Sequence, residues 1–221
     1  MPSEPDHASA GVLPDTHLRE MVSRGAITPA TPLDDDQLQP ASLRLGRVAV
    51  RVRASFLAGQ GQSVAARLKD FEMHQFDLSE GAVLEKGCVY LVELQESLAL
   101  PADVSAVANA KSSTGRLDLL TRTIVDEGVE FDRIPEGYSG PLYAEICPRS
   151  FSVLARTGRR LNQIRFRRGL ALLDDAALSA LHDADPLVDG PAHIDQGLGF
   201  SVDLHLPGST LVGYRATPHT G

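Results

Sequence analysis

From residue 47 onward, apolar residues in this chain recur at every second position in short runs, and Gly, Pro or Asp interrupts each run after a few residues. A period of two places alternate side chains on opposite faces of an extended backbone, whereas an amphipathic helix needs a period of about 3.6. Over residues 47–53, Val48, Val50 and Val52 point one way while Ala49 and the arginines point the other, the pattern of a half-buried strand. Further strands are expected over 89–94, 104–109, 117–125, 141–147, 151–154 and 163–166. Many short strands separated by turn residues predict a mainly β chain, a sandwich or a barrel.

Helices are few. Pro14-Asp15-Thr16 starts a short one, with Asp15 or Thr16 as N-cap; Leu18, Met21 and Val22 share a face, and Gly25 stops it. Asp174-Asp175 caps a second, which contains Leu178 and Leu181. These signals divide the chain into a flexible terminus (1–13), a β-barrel domain (14–172), a short helix and linker (173–196) and a final stretch (197–221). The β-like residues 199–204 make that last stretch the opening of a second β unit, or an arm that pairs with the main body.

Charge and composition narrow the function. A formal net charge of −8 opposes binding to long nucleic acid, which needs a basic surface, but leaves room for a local basic pocket and a single nucleotide. No window approaches the roughly 18 apolar residues of a membrane span. The acidic, proline-containing start is neither a signal nor a transit peptide, so a cytoplasmic protein is expected. Cys88 and Cys147 are solitary and make neither a metal knuckle nor a disulfide framework; they read as small buried apolar residues.

Two segments carry chemistry. Lys111-Ser112-Ser113-Thr114-Gly115-Arg116 packs two cations, three hydroxyls and a glycine into six residues. Such a segment is either an anion-binding concavity for phosphate oxygens or a polar turn that caps a helix. In 141–147, Leu142, Ala144 and Ile146 share one strand face, and Tyr143, Glu145 and Cys147 the other. Glu145 is either a buried carboxylate suited to general-base work or an exposed edge-strand glutamate. His74, His182, His193, His205 and His219 show no ligand spacing. Asp34-Asp35-Asp36 reads as a solvated turn, and Arg165, Arg167 and Arg168 as a solvated strand end.

Taken in order, the segments resemble one family. Residues 39–46 (Gln-Pro-Ala-Ser-Leu-Arg-Leu-Gly) look like the opening motif of dCTP deaminases, and 98–104 like the strand and turn that lead to their site. Lys111 to Arg116 resembles the family's Arg-Ser-Ser-x-x-Arg motif. Gly137-Tyr138-Ser139-Gly140, followed by Glu145, resembles its turn and catalytic strand, and Leu161-Asn162-Gln163-Ile164-Arg165-Phe166 its closing glutamine motif. The similarity runs from about Pro14 to Arg168.

The resemblance implies a distorted dUTPase-like β-barrel with a short N-terminal helix, a homotrimer or pseudo-trimer, and hydrolytic deamination of dCTP to dUTP. It implies Mg²⁺ carried on the triphosphate, and no metal-binding residues. Glu145 matches the general base, and Ser112 and Arg116 the pair that assists it. Lys111 and Ser113 match phosphate contacts, within a loop that includes Thr114 and Gly115. Tyr143 and Ala144 match residues flanking the base, and Gln163 a glutamine near the nucleotide. The family's usual zinc-free route agrees with the missing H-x-E and P-C-x-x-C motifs of zinc deaminases.

Two departures stand out. Ile134 is followed by Pro135 where the family commonly has the sugar-binding aspartate, so Asp132 or Glu136 is expected to stand in for it. Residues 197–221 resemble the start of a second barrel copy, as in a truncated member of a longer, two-copy subgroup. A dUTP pyrophosphatase (or a bifunctional enzyme that does both reactions), or a catalytically silent nucleotide-binding barrel, is the alternative function.

Overall fold

Antiparallel strands with a cover on each face explain why several runs are apolar at every position and do not alternate cleanly. The computed structural model describes residues 10–38, 41–170, 172–205, 207, 208, 210–214 and 217. Residues 1–9 of the expected flexible terminus, Gln39 and Pro40 of the opening motif, much of the tail after 214, and His219 lie outside the described residues.

The elements in chain order are β1 (Gly11–Val12), α1 (Asp15–Ser23), β2 (Ile27–Pro29), β3 (Ser42–Val52), α2 (Val64–Leu68), β4 (Glu72–Asp77) and β5 (Ala82–Leu84). Then follow β6 (Val89–Ala99), β7 (Val104–Ala110), α3 (Ser112–Arg116), β8 (Leu119–Val125), β9 (Arg133–Ile134), β10 (Ser139–Pro148), β11 (Val153–Ala155) and β12 (Arg160–Arg168). The last are α4 (Asp175–Ala184), β13 (His193–Ile194) and β14 (Leu198–Gly199). The chain divides after Gly169, and a second unit spans Leu170–Arg215.

In the first unit the main sheet runs β8-β10-β6-β3-β12-β7-β9, with β1 on β12, β2 on β6 and β4 on β3. Its described pairings are antiparallel. One residue bends the two ends of this sheet towards each other. The Asp132 N–H donates to the Thr123 carbonyl of β8 at 2.9 Å, and the Asp132 carbonyl accepts from the Ala108 N–H of β7 at 2.8 Å. The Asp132 carboxylate also accepts the Thr123 N–H at 2.7 Å. A left-handed backbone at Asp132 (φ 63°) makes this triple use possible, and Asp tolerates that region better than most residues. The result is a nearly closed, barrel-like sheet.

Alternation sorts the apolar side chains into two clusters. Leu142, Ala144 and Ile146 of β10 join Tyr90 and Val92 of β6 and Leu43, Leu45 and Ala49 of β3 in the main core. Tyr143, Leu91, Val50, Val52 and Ile124 face a second cluster, closed by Phe56, Ala58 and Val64 from the segment after β3. Phe56 stacks on Phe71 with centroids 4.7 Å apart. Full burial of a Leu or Ile side chain contributes about 1.5–3 kcal/mol, so these clusters hold β10 from both sides.

Several expectations are corrected in detail. The N-cap of α1 is Pro14, not Asp15 or Thr16; Asp15 is the first helical residue, where its charge favours the helix dipole. Val48 does not join Val50 and Val52 in the second cluster: it is 45% exposed, and the β3–β6 register shifts between Leu45 and Ala49. β8 begins at Leu119 because Leu117 caps α3 and Asp118 takes φ 54°. The strand expected over 151–154 is Val153–Ala155.

The second unit holds α4, capped by the Asp174 side chain on the Ala177 N–H, and the β13–β14 hairpin. Its strand is Leu198–Gly199, not 199–204. None of its described residues is buried, so the local signals here make a cap and a hairpin but no core.

The register shift has a steric condition. A Cβ on Gly46 would lie 2.3 Å from the Glu93 carbonyl oxygen of β6, a backbone atom that cannot rotate away. Gly46→Ala is therefore expected to cost about 2 kcal/mol, the mid-range for overpacking. In a domain of this size that lowers Tm by roughly 4–8 °C. An unchanged Tm in a thermal melt would contradict this account of the β3–β6 contact.

Candidate active site

The barrel buries two glutamates in its strands, Glu96 at 2% exposure and Glu145 at 3%. A buried carboxylate needs donors, and each has three. Glu96 accepts from Gln37 Nε2 (2.7 Å), Arg44 Nε (2.8 Å) and the Arg44 N–H (2.8 Å). Glu145 accepts from Arg122 Nε at 3.1 Å and from Arg122 Nη2, both on Oε1, and from Ser55 Oγ on Oε2 at 2.5 Å.

Access to solvent separates them. The Arg44 side chain is buried along with its partner, and its Nη atoms end on the Pro32 and Thr31 carbonyls. The cavity that touches Glu96 is about 20 Å³, room for about one water. The Arg122 side chain is 29% exposed, so the ion pair it makes with Glu145 reaches the surface. Glu96 is therefore a structural latch, and Glu145 is the buried carboxylate whose partner reaches solvent.

Local structure fixes the Glu145 group. Glu145 lies directly across β8 from Arg122 and across β6 from Leu91. Arg122 alternates with Thr121 and Thr123, which point to the other face and bond to the buried Asn162 at 2.7 and 3.3 Å. The Arg122 guanidinium lies 3.7 Å from the Phe131 ring centroid, a cation–π contact, and its Nη2 also donates to Ser55 Oγ at 2.9 Å. Ser55 directly precedes the buried Phe56, so the apolar anchor places the hydroxyl.

The turn before β10 is built around Tyr138. Its hydroxyl donates to the Pro141 carbonyl at 2.6 Å and accepts from the Asp126 N–H at 3.2 Å. A Cβ on Gly140 would come within 2.7 Å of that hydroxyl, so this position needs glycine. Burial pushes the Tyr138 hydroxyl up to about 12, and also raises that of Tyr143.

The sequence-derived residues fall into two groups. Tyr143, Ala144 and Glu145 are buried on β10, and half-buried Asp132 lies close enough to feel the charges of both Arg122 and Glu145. Glu136, the other substitute for the missing aspartate, is exposed; Pro135 and Glu136 line a groove of about 450 Å³ with Arg133 and Arg167.

The second group is α3 and its surroundings. Ser112, Ser113, Gly115 and Arg116 are exposed, Lys111 is half-buried, and Thr114 is buried with its hydroxyl on the Leu161 carbonyl at 2.9 Å. The segment is thus a short helix, but its N-cap Lys111 makes no side-chain cap bond. A groove of about 410 Å³ beside it gathers Lys111, Arg159 and Arg160. Gln163 donates to Asn109 at 3.3 Å, on the strand that leads into α3. Among the described residues no hydrogen bond or ion pair joins α3 to Glu145 within the chain.

Other charges have local partners. Asp36 of the acidic turn takes both Arg160 Nη atoms at 2.9 Å, which holds its carboxyl below the usual range. Arg167 donates to Ser105, and Arg168 pairs with Asp103.

Sequence reasoning did not single out Arg122 or Ser55. An arginine amid Leu119, Leu120, Thr121, Thr123, Ile124 and Val125 was the visible signal for the first. Ser55 offered none, because its partner is 90 residues away.

Similarity to known proteins runs through most of the chain. The family profile of the 2'-deoxycytidine 5'-triphosphate deaminase N-terminal domain matches residues 9–170, and that of the C-terminal domain matches residues 174–221. The crystal structure of 2'-deoxycytidine 5'-triphosphate deaminase from Agrobacterium tumefaciens matches with a TM-score of 0.81 at 52% identity. The match covers 88% of this chain and 59% of that one, so this chain spans about three fifths of that relative's length. Native EIAV dUTPase matches over 42% of this chain and 72% of that one, at 15% identity and a TM-score of 0.34, a likeness too slight to carry an argument. No curated protein matches the chain in a sequence search.

Asp132 supplies a test of the electrostatics. Burial raises its carboxyl above the ordinary range, partly offset by the Thr123 N–H. A raised carboxyl stabilises the fold at pH below its unfolded value, roughly 3.9, and that contribution is lost as pH rises through the folded value. Asp132→Asn still accepts the Thr123 N–H but cannot ionise. The variant is expected to gain stability relative to wild type between pH 4 and 8, read from urea midpoints. A gap that stays constant or narrows as pH rises would refute the burial argument.

Proposed function

Because this chain belongs to the 2'-deoxycytidine 5'-triphosphate deaminase family, we propose that it deaminates dCTP to dUTP by hydrolysis. The observation that carries the reading is Glu145, a buried glutamate whose arginine partner reaches solvent. In the proposed reaction, water adds to C4 of the cytosine ring while Glu145 accepts one of its protons. That proton passes to the ring or the departing amino group, and ammonia leaves. A positioned general base of this kind contributes roughly 10²–10⁴-fold.

The other roles extend the same reading. Ser112 and Arg116 orient the water and stabilise the charge that develops at the reacting carbon. Lys111 and Ser113, with the Thr114 and Gly115 backbone, hold the triphosphate, which brings its own Mg²⁺ as part of the substrate. Tyr143 and Ala144 flank the base, Asp132 stands in for the sugar-binding aspartate, and Gln163 lies near the nucleotide. No zinc ion takes part.

Exposed α3 makes no bond to Glu145 of its own chain, which favours a site shared between subunits. We propose that Glu145 of one chain meets α3 of a neighbour in a trimer or pseudo-trimer. Residues 197–221 are proposed to begin a second β unit.

The test is to incubate the chain with dCTP or with dUTP and Mg²⁺ and to separate the products. Ammonia and dUTP from dCTP are expected. Pyrophosphate and dUMP from dUTP would identify a pyrophosphatase, and no product with either would identify a binding barrel. Glu145→Gln should still bind dCTP by calorimetry while ammonia release falls by roughly 10²-fold or more. Arg116→Ala should weaken both binding and turnover, since a cation beside the nucleotide serves ground and transition states together. Near wild-type ammonia release by Glu145→Gln would move the base elsewhere.

A further inference from the structure

We infer that Arg122 and Ser55 are positioning residues that decide which oxygen of Glu145 accepts the proton. The inference rests on the proposed role of Glu145 as the base. Arg122 delivers two N–H groups, Nε and Nη2, to Oε1. Two donors occupy the two in-plane lone pairs of that oxygen. Oε2 carries one donor, the Ser55 hydroxyl, so one lone pair remains open there. The clamp thus removes Oε1 from the reaction and presents Oε2.

The clamp is itself held. The guanidinium has its face on Phe131 and its edge on Glu145 and Ser55, so neither its plane nor its tilt is free. Ser55 closes the ring, accepting from Arg122 Nη2 and donating to Oε2. Of the other charged groups nearby, Asp132 is engaged by the Thr123 N–H, so its carboxylate does not compete for Arg122 through a direct bond. A lysine cannot reproduce this arrangement. It keeps the charge but loses the planar fork and the flat face that Phe131 holds.

The role differs from substrate contact, and kinetics separate the two. Ammonia release from dCTP is measured on the whole chain for wild type, Arg122→Lys, Ser55→Ala, Glu145→Gln and the Arg122→Lys/Glu145→Gln double variant. Misplacing a reacting group by about an ångström costs up to roughly 100-fold. Arg122→Lys is therefore expected to lower kcat about 10- to 100-fold with KM for dCTP unchanged. Ser55→Ala, at an exposed position, should lower kcat in the same direction with KM unchanged. In the Glu145→Gln background Arg122→Lys should cost nothing further, because the group it positions is gone.

A near wild-type kcat in both Arg122→Lys and Ser55→Ala, while Glu145→Gln is inactive, overturns this inference and leaves the proposed base standing. A rise in KM parallel to the fall in kcat overturns it too, since Arg122 would then touch the nucleotide. So does an additive loss in the double variant. Full activity in Glu145→Gln removes the base itself, and the clamp with it.

Discussion

A carboxylate taken out of water has to be given donors, and that requirement organises this barrel. Breaking a buried pair by removing one partner costs about 3–5 kcal/mol, so each buried glutamate fixes the elements that serve it. Glu96 draws in Arg44 of β3, by its backbone and guanidinium, and the Gln37 side chain before it, and the guanidinium donates in turn to the Thr31 and Pro32 carbonyls. Glu145 draws in β8 through Arg122 and the segment after β3 through Ser55. The donor counts are equal. The difference between them is the solvent exposure of Arg122.

The sheet makes that difference possible. β10 lies between β6 and β8, and both of its faces are covered. Its apolar side anchors the strand in the main core while its other side holds Tyr143 and Glu145. A strand pinned from both sides cannot shift register, because a one-residue slip would exchange the faces and bury Ala144 or Ile146 where Glu145 belongs. Rigid support of this kind is what the proposed role of Glu145 requires, since a general base's contribution depends on geometry before basicity. Asp132 adds a link between fold and site. The residue that draws β7 and β8 together also lies within electrostatic reach of the Arg122–Glu145 pair.

The α3 motif is organised on different terms. It is short, exposed and flanked by cations, and its one buried side chain, Thr114, ties it to Leu161 at the start of β12. Such a segment is firmly placed by the barrel but not enclosed by it. The proposed shared site follows from this contrast: a buried, firmly held carboxylate on β10 and an exposed, cation-flanked segment at α3.

What the sequence determined by itself was the period-two pattern, hence a β architecture, and the family resemblance carried by segments such as those around Lys111 and Glu145. Those are local signals, written within six or seven residues each. It also placed α1, α4 and the longer strands except β4, and it missed the short strands β1, β2, β5, β9 and β13 and the α2 turn, which have too few residues to show a period; β4 (Glu72–Asp77) was missed because its apolar residues, Met73 and Phe76, do not alternate. The tertiary structure alone decided the partners. Glu145 meets Arg122 because β8 and β10 pair in one register, and meets Ser55 because Phe56 packs under the same sheet. It decided too that Glu145 and α3 stand apart within one chain, and that Asp132 joins β7 to β8. Spacing along a chain specifies which face a side chain takes. Which side chain it then touches depends on register and on the packing of segments tens of residues apart, and no local pattern encodes that.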